Sequence, residues 1–275
     1  MGPVQLALVI CGVICLFTWT ASVLTHDSSW VDRMWSIAPV IYVWVFAGYA
    51  GLGDMRLNVM AIIVTLWGAR LTFNFARKGG YSGMEDYRWP IVRATMKPWQ
   101  YQIFNIVFIV IFQNILLLLI AMPAYVAYEN QAPPFGAIGV LLTVLFLAAL
   151  AGETIADQQQ WNFHRWKAAE TAAGRTPLPG FVTTGLFRYS RHPNFFFEQA
   201  QWWLFFLMGA VAAGSLWQWT AIGPLLLTLL FIGSTRLTEN ISSSKYPAYA
   251  DYQSTTSMVI PWFPKKGDAP EAKAA

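Results

Sequence analysis

Charged side chains are scarce in this sequence. Only 12% of its 275 residues are Asp, Glu, Lys or Arg, whereas 56% are hydrophobic. A soluble globular domain usually has about 25% charged residues. The charges that are present also cluster, so that long apolar stretches remain between them. This composition excludes an ordinary soluble domain and predicts an integral membrane protein.

Cysteine and histidine are also rare. Cys11 and Cys15 lie one helical turn apart within the first apolar stretch, where we interpret them as small apolar residues rather than disulfide partners. His192 has no second histidine or cysteine at the spacing of metal ligands. We therefore predict no metal site.

Seven candidate spans can be found among the apolar stretches, since a helix needs about 20 residues to cross a bilayer. They lie in regions 1–25, 34–53, 57–75, 101–128, 130–152 and 199–235, the last of which holds two spans with a break near Gly214-Ser215. The first span lacks a basic start and is too long for a signal peptide core, so we interpret it as a retained helix. The sequence thus predicts one all-α domain over residues 1–275 with seven transmembrane helices and a disordered tail at 264–275.

Basic residues are distributed unequally between the connecting segments. The segments after the third and fifth spans and the C-terminal tail carry five Lys or Arg each, and all three lie on one side of a seven-helix arrangement. The opposite side receives only Arg56. Because Lys and Arg favour cytoplasmic segments, we predict a multi-pass protein of the cell inner membrane, with its N-terminus outside and its C-terminus in the cytoplasm. The net charge of +4 then needs no nucleic acid partner.

Two of the predicted cytoplasmic loops are long, at about 77–100 and 157–198, and they mix aromatic residues with arginine and glycine. Loops of this length are usually functional or disordered, and the aromatic content argues against disorder. The first loop contains Gly79 to Trp89, where three glycines precede two acids, a tyrosine and an arginine. This cluster fits either a close backbone approach to a ligand or a tight interfacial turn.

The second loop ends in the most informative cluster, which runs from Gly185 to Glu198. Arg188 and Arg191 can hold phosphate oxygens with forked donors. The sixth span begins at His192-Pro193-Asn194, and the free backbone donors of a helix start favour anions. Asn194 and Glu198 are four positions apart and share one helix face. The alternative interpretation is a set of positive-inside arginines with a helix cap.

Three further groups of polar residues qualify as sites. Glu153 and Asp157 share one face near the end of the fifth span, where they fit ribose hydroxyls or a salt bridge to Arg165 or Arg70. Tyrosines recur every third residue from Tyr246 in the tail, which fits a surface helix or a segment closing over a cofactor. Asp32 also lies at the entrance to the second span, next to Arg33. It fits either a functional acid or one member of an interfacial Asp–Arg pair.

At these residues the chain resembles the steroid 5-alpha-reductase family, and its bacterial membrane members above all. The most specific part is Gly185-Leu186-Phe187-Arg188-Tyr189-Ser190-Arg191-His192-Pro193-Asn194-Phe195 with Glu198, and the Tyr246…Tyr252…Ile260-Pro261-Trp262 pattern agrees. Glu85-Asp86-Tyr87-Arg88 looks like the Glu-Asp-x-Arg-Tyr segment of bacterial members with its order changed. The resemblance implies a seven-helix fold with cytoplasmic loops closing an NADPH cavity, and reduction of a carbon–carbon double bond conjugated to a ketone, as in a 3-oxo-4-ene steroid.

The resemblance also implies roles for individual residues. Asp32 and Tyr87 would polarise the ketone, and Trp35 and Trp67 would contact a lipid or steroid substrate. The substrate would enter from the surrounding membrane lipids, and the protein would be a monomer. The residues that would bind NADPH are Asn74, Arg77, Arg88, Glu153, Asp157, Arg165, Arg188, Ser190, Arg191, His192, Asn194, Glu198, Arg236, Glu239, Asn240, Tyr246 and Tyr249.

Two other function classes remain open from the sequence. The Arg-His-Pro segment is shared with membrane methyltransferases of the isoprenylcysteine carboxyl type, which use S-adenosylmethionine. Phe195 stands where those enzymes have a tyrosine, which favours the reductase. A transporter or receptor is the third class, but transporters tend to carry ionisable residues near the middle of the bilayer. Here the ionisable residues gather at one end of the spans.

Overall fold

The computed structural model describes residues 1–131 and 134–265. These residues are largely helical and contain no β-strand. In chain order the helices are α1 (Pro3–Thr25), α2 (Trp30–Trp35), α3 (Ala38–Tyr49), α4 (Met55–Arg77), α5 (Arg88–Ala94), α6 (Pro98–Glu129, with a π-helical part at Asn105–Phe112), α7 (Ala137–Ala172), α8 (Pro193–Ala213), α9 (Ile222–Lys245) and α10 (Tyr249–Thr255). Most of the tail predicted to be disordered lies outside the described residues.

Five helices within the described residues are long and apolar enough to cross a membrane, namely α1, α4, α6, α7 and the segment Trp219–Lys245 that contains α9. They mark the chain as a multi-pass membrane protein. The second predicted span contains α3, whose 12 residues extend about 18 Å, short of the ~30 Å hydrocarbon core. The sixth predicted span corresponds to α8, whose 21 residues include several polar ones. A total of seven spans therefore stays a prediction.

The predicted loop at 157–198 is wrong in its first part, because α7 continues as one helix of 36 residues to Ala172. The charged residues end the apolar run but do not end the helix. Residues 157–172 include three Gln, three Ala and one each of Arg, Lys and Glu, all of high helix propensity, and they contain no Gly or Pro. The non-helical connection to α8 therefore starts only after Ala172, and it includes the short 3-10 helix Gly185–Arg188.

The described chain divides into two compact units. Unit 1 comprises Met1–Val144 and Trp202–Leu227, and unit 2 comprises Leu145–Gln201 and the chain from Thr228 onward. In unit 1, Trp67 is fully buried on α4 and meets the Trp202 ring edge-on at 4.8 Å between centroids. Large apolar side chains of α1, α3, α4 and α6 complete this core.

A glycine allows the connection between α2 and α3 to cross α4 closely. A Cβ atom added to Gly68 would lie 2.5 Å from the Ser36 carbonyl oxygen, which belongs to the backbone and cannot move away easily. We expect Gly68→Ala to lower the free energy of unfolding by about 1–3 kcal/mol through overpacking. Thermal unfolding in detergent measures this effect. Gly48→Ala on α3 is the matched control, because nothing lies within 4 Å of its added Cβ, and equal unfolding temperatures for the two variants would contradict the expectation.

In unit 2 the C-terminal segment pairs with the residues that precede α8. The backbone amides of Arg191 and His192 donate to the carbonyl oxygens of Ser257 and Met258 at 2.8 and 3.1 Å. In the same region, the Ser190 hydroxyl donates to the Val259 carbonyl at 2.7 Å. This pairing fixes the start of α8 at Pro193, as the sequence predicted, and so positions the cluster from Arg188 to Glu198.

Candidate functional site

Three helices of unit 2 carry buried polar side chains, and two of these helices are joined by a hydrogen bond. Glu153 on α7 accepts a hydrogen bond from Gln201 on α8, with 2.7 Å between Oε2 and Nε2. The buried polar residues of the three helices are Glu153 and Asp157 on α7, Glu198 and Gln201 on α8, and Thr235 and Glu239 on α9. Burying carboxylates in a membrane helix is unfavourable, so such residues are functional candidates. The predicted shared faces of Glu153 with Asp157 and of Asn194 with Glu198 agree with the helices that carry them.

A buried ion pair joins α9 to the residues that precede α8. Both Glu239 carboxylate oxygens bind the Arg191 guanidinium, with Nε–Oε1 and Nη2–Oε2 distances of 2.6 and 2.9 Å. His192 Nε2 lies 3.2 Å from Oε1, and Gln253 Nε2 donates to Oε2 at 3.0 Å. Arg191 Nη1 donates to the carbonyl oxygens of Gln253 and Thr256. Protein atoms thus engage Nε, Nη1 and Nη2 of Arg191, which suits it to hold the C-terminal segment in place.

Other predicted arginines of unit 2 have no such partners. Arg165, Arg188 and Arg236 are exposed, and none of them makes a hydrogen bond or ion pair with any described residue. Asn194 and Asn240 make no side-chain hydrogen bond to the described residues either. Three guanidinium groups of unit 2 thus have no hydrogen-bond or ion-pair partner among the described residues, and each can hold phosphate oxygens with its forked donors.

The local backbone explains how Arg188 is presented. Gly185 has a φ of 64°, in the left-handed region that favours glycine. The next amide, of Leu186, donates to Gln159 Oε1 on α7 at 2.9 Å. These two features fix the 3-10 turn that carries Arg188.

The tyrosines of the tail lie in an aromatic cluster of unit 2. The Tyr249 ring meets Phe181 edge-on at 4.9 Å between centroids, and the Tyr252 hydroxyl donates to the Phe187 carbonyl. Burial raises the pKa of Tyr249 above its ordinary value. Tyr246 instead accepts from Lys167 Nζ at 2.5 Å, and this cation contributes to a lowered pKa of Tyr246 against the opposing effect of burial. The cluster ties the segment before α8 to the tail.

Two buried polar residues of unit 2 were missed in the sequence. Gln201 and Thr235 are fully buried, yet Gln201 Oε1 and Thr235 Oγ1 have no hydrogen-bond partner among the described residues. The signal for Gln201 was its spacing, because Asn194, Glu198 and Gln201 follow one another at intervals of four and three on α8. A free buried oxygen is unfavourable unless a donor reaches it, so Gln201 joins the candidate ligand contacts.

The predicted acid of unit 1, Asp32, lies on α2 and contacts a tryptophan of α5. Trp89 Nε1 donates to Asp32 Oδ2 at 3.0 Å. Burial raises the pKa of the Asp32 carboxyl above its ordinary value, and the nearby positive charge of Arg88 opposes that rise only in part. The interfacial pair with Arg33 does not form, because Arg33 Nη2 binds Asp27 Oδ2 at 2.6 Å instead.

The remaining predicted residues of unit 1 occupy different surroundings. The Tyr87 side chain is 53% exposed, whereas Trp67 is fully buried and Trp35 partly buried. Asn74 Oδ1 accepts from both Nε and Nη2 of Arg77, at 2.9 and 2.7 Å. Elsewhere in the unit, Arg88 Nε binds Asp86 Oδ1 at 2.8 Å.

The raised pKa of Asp32 predicts a pH dependence of stability. The folded protein keeps the Asp32 proton to a higher pH than the unfolded chain, whose aspartates ionise near pKa ~3.9. The contribution of this group to the free energy of unfolding is therefore fully present below that pH and is lost as the pH rises through the folded pKa. Asp32→Asn should remove this part of the slope. Thermal unfolding of both proteins across a pH series tests the prediction, and parallel curves would refute it.

Comparisons with known proteins place the chain in a family. Residues 18–256 match the family model described as "Protein of unknown function (DUF1295)". The chain is also 42% identical over 280 residues to the uncharacterized protein C594.04c of Schizosaccharomyces pombe, an alignment that covers 94% of this chain and 80% of the relative. No solved structure matches the chain. The family match covers most of the helical region described above, and the chain therefore belongs to the DUF1295 family.

Proposed function

We propose that this protein is an NADPH-dependent oxidoreductase that reduces the carbon–carbon double bond of an enone lipid, such as the C4–C5 bond of a 3-oxo-4-ene steroid. The observation that carries the proposal is the set of three guanidinium groups, on Arg165, Arg188 and Arg236, that have no partner among the described residues. Support also comes from the resemblance of the Gly185–Phe195 segment to the steroid 5-alpha-reductase family.

The residues of unit 2 fit the two chemically different ends of NADPH. The three arginines provide positive charge and forked donors for its phosphates. The free Gln201 Oε1 and the Asn194 amide can complement the donors and the acceptor of the nicotinamide carboxamide. Glu198 lies on the same face of α8 as Asn194 and can accept from the carboxamide nitrogen. NADPH itself would supply the hydride that goes to the β-carbon of the enone, and a proton from water would complete the reduction at the α-carbon.

As the resemblance implies, an acid and a tyrosine, Asp32 and Tyr87, would stabilise the negative charge that develops on the ketone oxygen. A neutral carboxylic acid can donate a hydrogen bond there, and the raised pKa of Asp32 favours its neutral form. Tyr87 is the proposed second donor, with its hydroxyl available because the side chain is exposed. Trp35 and Trp67 would contact the apolar body of the substrate, as the resemblance implies.

The finer topology also belongs to this proposal. We infer that the chain lies in the cell inner membrane with seven spans, of which α3 and α8 are added to the five apolar helices. We also infer that the site opens to the cytoplasm. The unequal distribution of Lys and Arg between the connecting segments supports this orientation.

An activity assay tests the proposed reaction. Purified protein in detergent is given NADPH with progesterone, and the loss of NADPH absorbance is followed together with the 4,5-reduced steroid by mass spectrometry. The saturated steroid pregnane-3,20-dione is the matched control, because it keeps the ketones and lacks the double bond. Oxidation of NADPH with progesterone but not with the saturated steroid supports the proposal. Equal rates with the two steroids argue against it, as does the absence of NADPH oxidation with both progesterone and enone-containing lipid extracts.

A further inference from the structure

Unit 1 contains a cavity of about 210 Å³ between the end of α1 and the beginning of α6. Its wall includes Ser22, His26, Met96, Tyr101 and Asn105. None of the residues that line it belongs to the proposed cofactor or ketone site. The cavity is therefore separate from the residues proposed to contact the cofactor and the ketone.

An amide oxygen without a partner marks the inner wall of this cavity. Asn105 is 2% exposed, and its Nδ2 donates to the Ser22 hydroxyl at 3.0 Å. Its Oδ1 has no hydrogen-bond partner among the described residues. A buried acceptor of this kind is unfavourable unless a donor from a ligand or water reaches it.

The π-helical part of α6 explains why Asn105 faces the cavity. Asn105 and Asn114 both face α1, where Asn114 Nδ2 donates to the Thr18 hydroxyl at 3.3 Å. Nine positions in a regular α-helix make about two and a half turns, which would place the two residues on opposite faces. The wider π-helical turns of Asn105–Phe112 delay this rotation and bring both residues to the same side. Such π-helical insertions frequently occur at functional sites.

The other groups around the cavity suit a neutral ligand. Arg93 lines the cavity, but its Nη2 binds Glu85 Oε1 at 2.5 Å, so its charge is offset. The hydroxyls of Ser28 and Tyr101 share a hydrogen bond of 2.7 Å. Next to the cavity on α6, the side chains of Trp99 and Ile103 are 62% and 54% exposed, as expected for a surface that contacts lipid tails.

We propose that this cavity binds the hydroxyl head of a neutral lipid alcohol, whose apolar tail lies along α6. The hydroxyl donates its proton to Asn105 Oδ1 in a hydrogen bond, which a ketone oxygen cannot do because it has no proton to donate. The site thus takes a different ligand class from the enone of the proposed reaction, and it does not depend on that reaction.

Photolabelling tests this site. The full-length protein in lipid nanodiscs is labelled with a diazirine-bearing long-chain alcohol, and the modified peptides are identified by mass spectrometry. We expect labelling around Met96 to Asn105, which excess 1-dodecanol suppresses about tenfold more effectively than 1-methoxydodecane, since the ether has no donor. Equal competition by the two compounds, or no labelling of this region, would overturn the proposal and leave a cavity that holds water only.

Two variants and one control sharpen the result. Asn105→Ala should lower the labelling about tenfold, and Met96→Trp, which fills the cavity, should abolish it. Asn114→Ala is the matched control, because it removes a similar hydrogen bond to α1 from a residue that does not line the cavity. Labelling that persists in both Asn105→Ala and Met96→Trp would also overturn the proposal. If Asn105→Ala does not fold, Met96→Trp and the competition in the unmodified protein still decide it.

Discussion

Replacing Glu239 by alanine is expected to destabilise unit 2 by about 3–5 kcal/mol, because it removes one partner of a buried ion pair and leaves the other uncompensated. The side chains of Arg191 and Glu239 are both only 8% exposed. Arg191 also binds the backbone of the C-terminal segment at Gln253. We therefore expect the variant to unfold at a lower temperature and to become sensitive to protease between Ser257 and Trp262.

An exposed pair of the same residue types provides the control. Arg175 Nε binds Glu170 Oε2 at 2.5 Å, but the arginine side chain is 63% exposed. Exposed ion pairs contribute little to stability, so Glu170→Ala should unfold like the unmodified protein. Thermal unfolding and limited proteolysis compare the two variants. If Glu239→Ala behaves like Glu170→Ala, the buried network does not hold the C-terminal segment.

Replacing Glu198 by alanine is expected to weaken NADPH binding or turnover by about tenfold to a few hundredfold. The proposed contact is a hydrogen bond from the nicotinamide carboxamide to a buried carboxylate, and a bond to a charged group contributes roughly 1.5–3 kcal/mol. Glu198 is 4% exposed on α8, on the same face as Asn194. NADPH titration and oxidation with progesterone measure the effect, while thermal unfolding shows whether the variant keeps its fold.

The neighbouring residue on α8 supplies the matched control for this prediction. Gln199 Oε1 accepts from the Thr228 hydroxyl at 2.7 Å, and its position next to Glu198 directs it to another helix face. Gln199→Ala should therefore change stability more than nucleotide affinity. Full activity of Glu198→Ala, or a loss of stability without a change in NADPH binding, would mean that Glu198 is a structural partner and that the nicotinamide contacts lie elsewhere.

The sequence predicted those features that depend on neighbouring residues. Proline at the first position of α8 and a spacing of four between Asn194 and Glu198 gave the start of the helix and one of its faces. The predicted end of α7 is wrong, because charged residues end an apolar run without ending a helix. The helix continues to Ala172 through residues that favour helix formation. Helix ends outside the membrane are therefore the weakest result of reading hydropathy.

Partners far apart in the chain could not be predicted from spacing. Arg191 and Glu239 are 48 positions apart, and the resemblance implies a cofactor role for both. The contact between Asp32 and Trp89 joins residues 57 positions apart. Only the packing of the helices brings such groups together, so a sequence shows which residue types are unusual without showing which of them bind one another.

The nucleotide bound by the purified protein tests the central claim most directly. Calorimetric titration with NADPH, NADH and S-adenosylmethionine measures the three affinities under one condition. We expect NADPH to bind at least about tenfold more tightly than NADH, because its additional phosphate can form a charge-assisted hydrogen bond with an arginine, and we expect no binding of S-adenosylmethionine. Binding of S-adenosylmethionine without binding of NADPH would contradict the account and would favour a membrane methyltransferase instead.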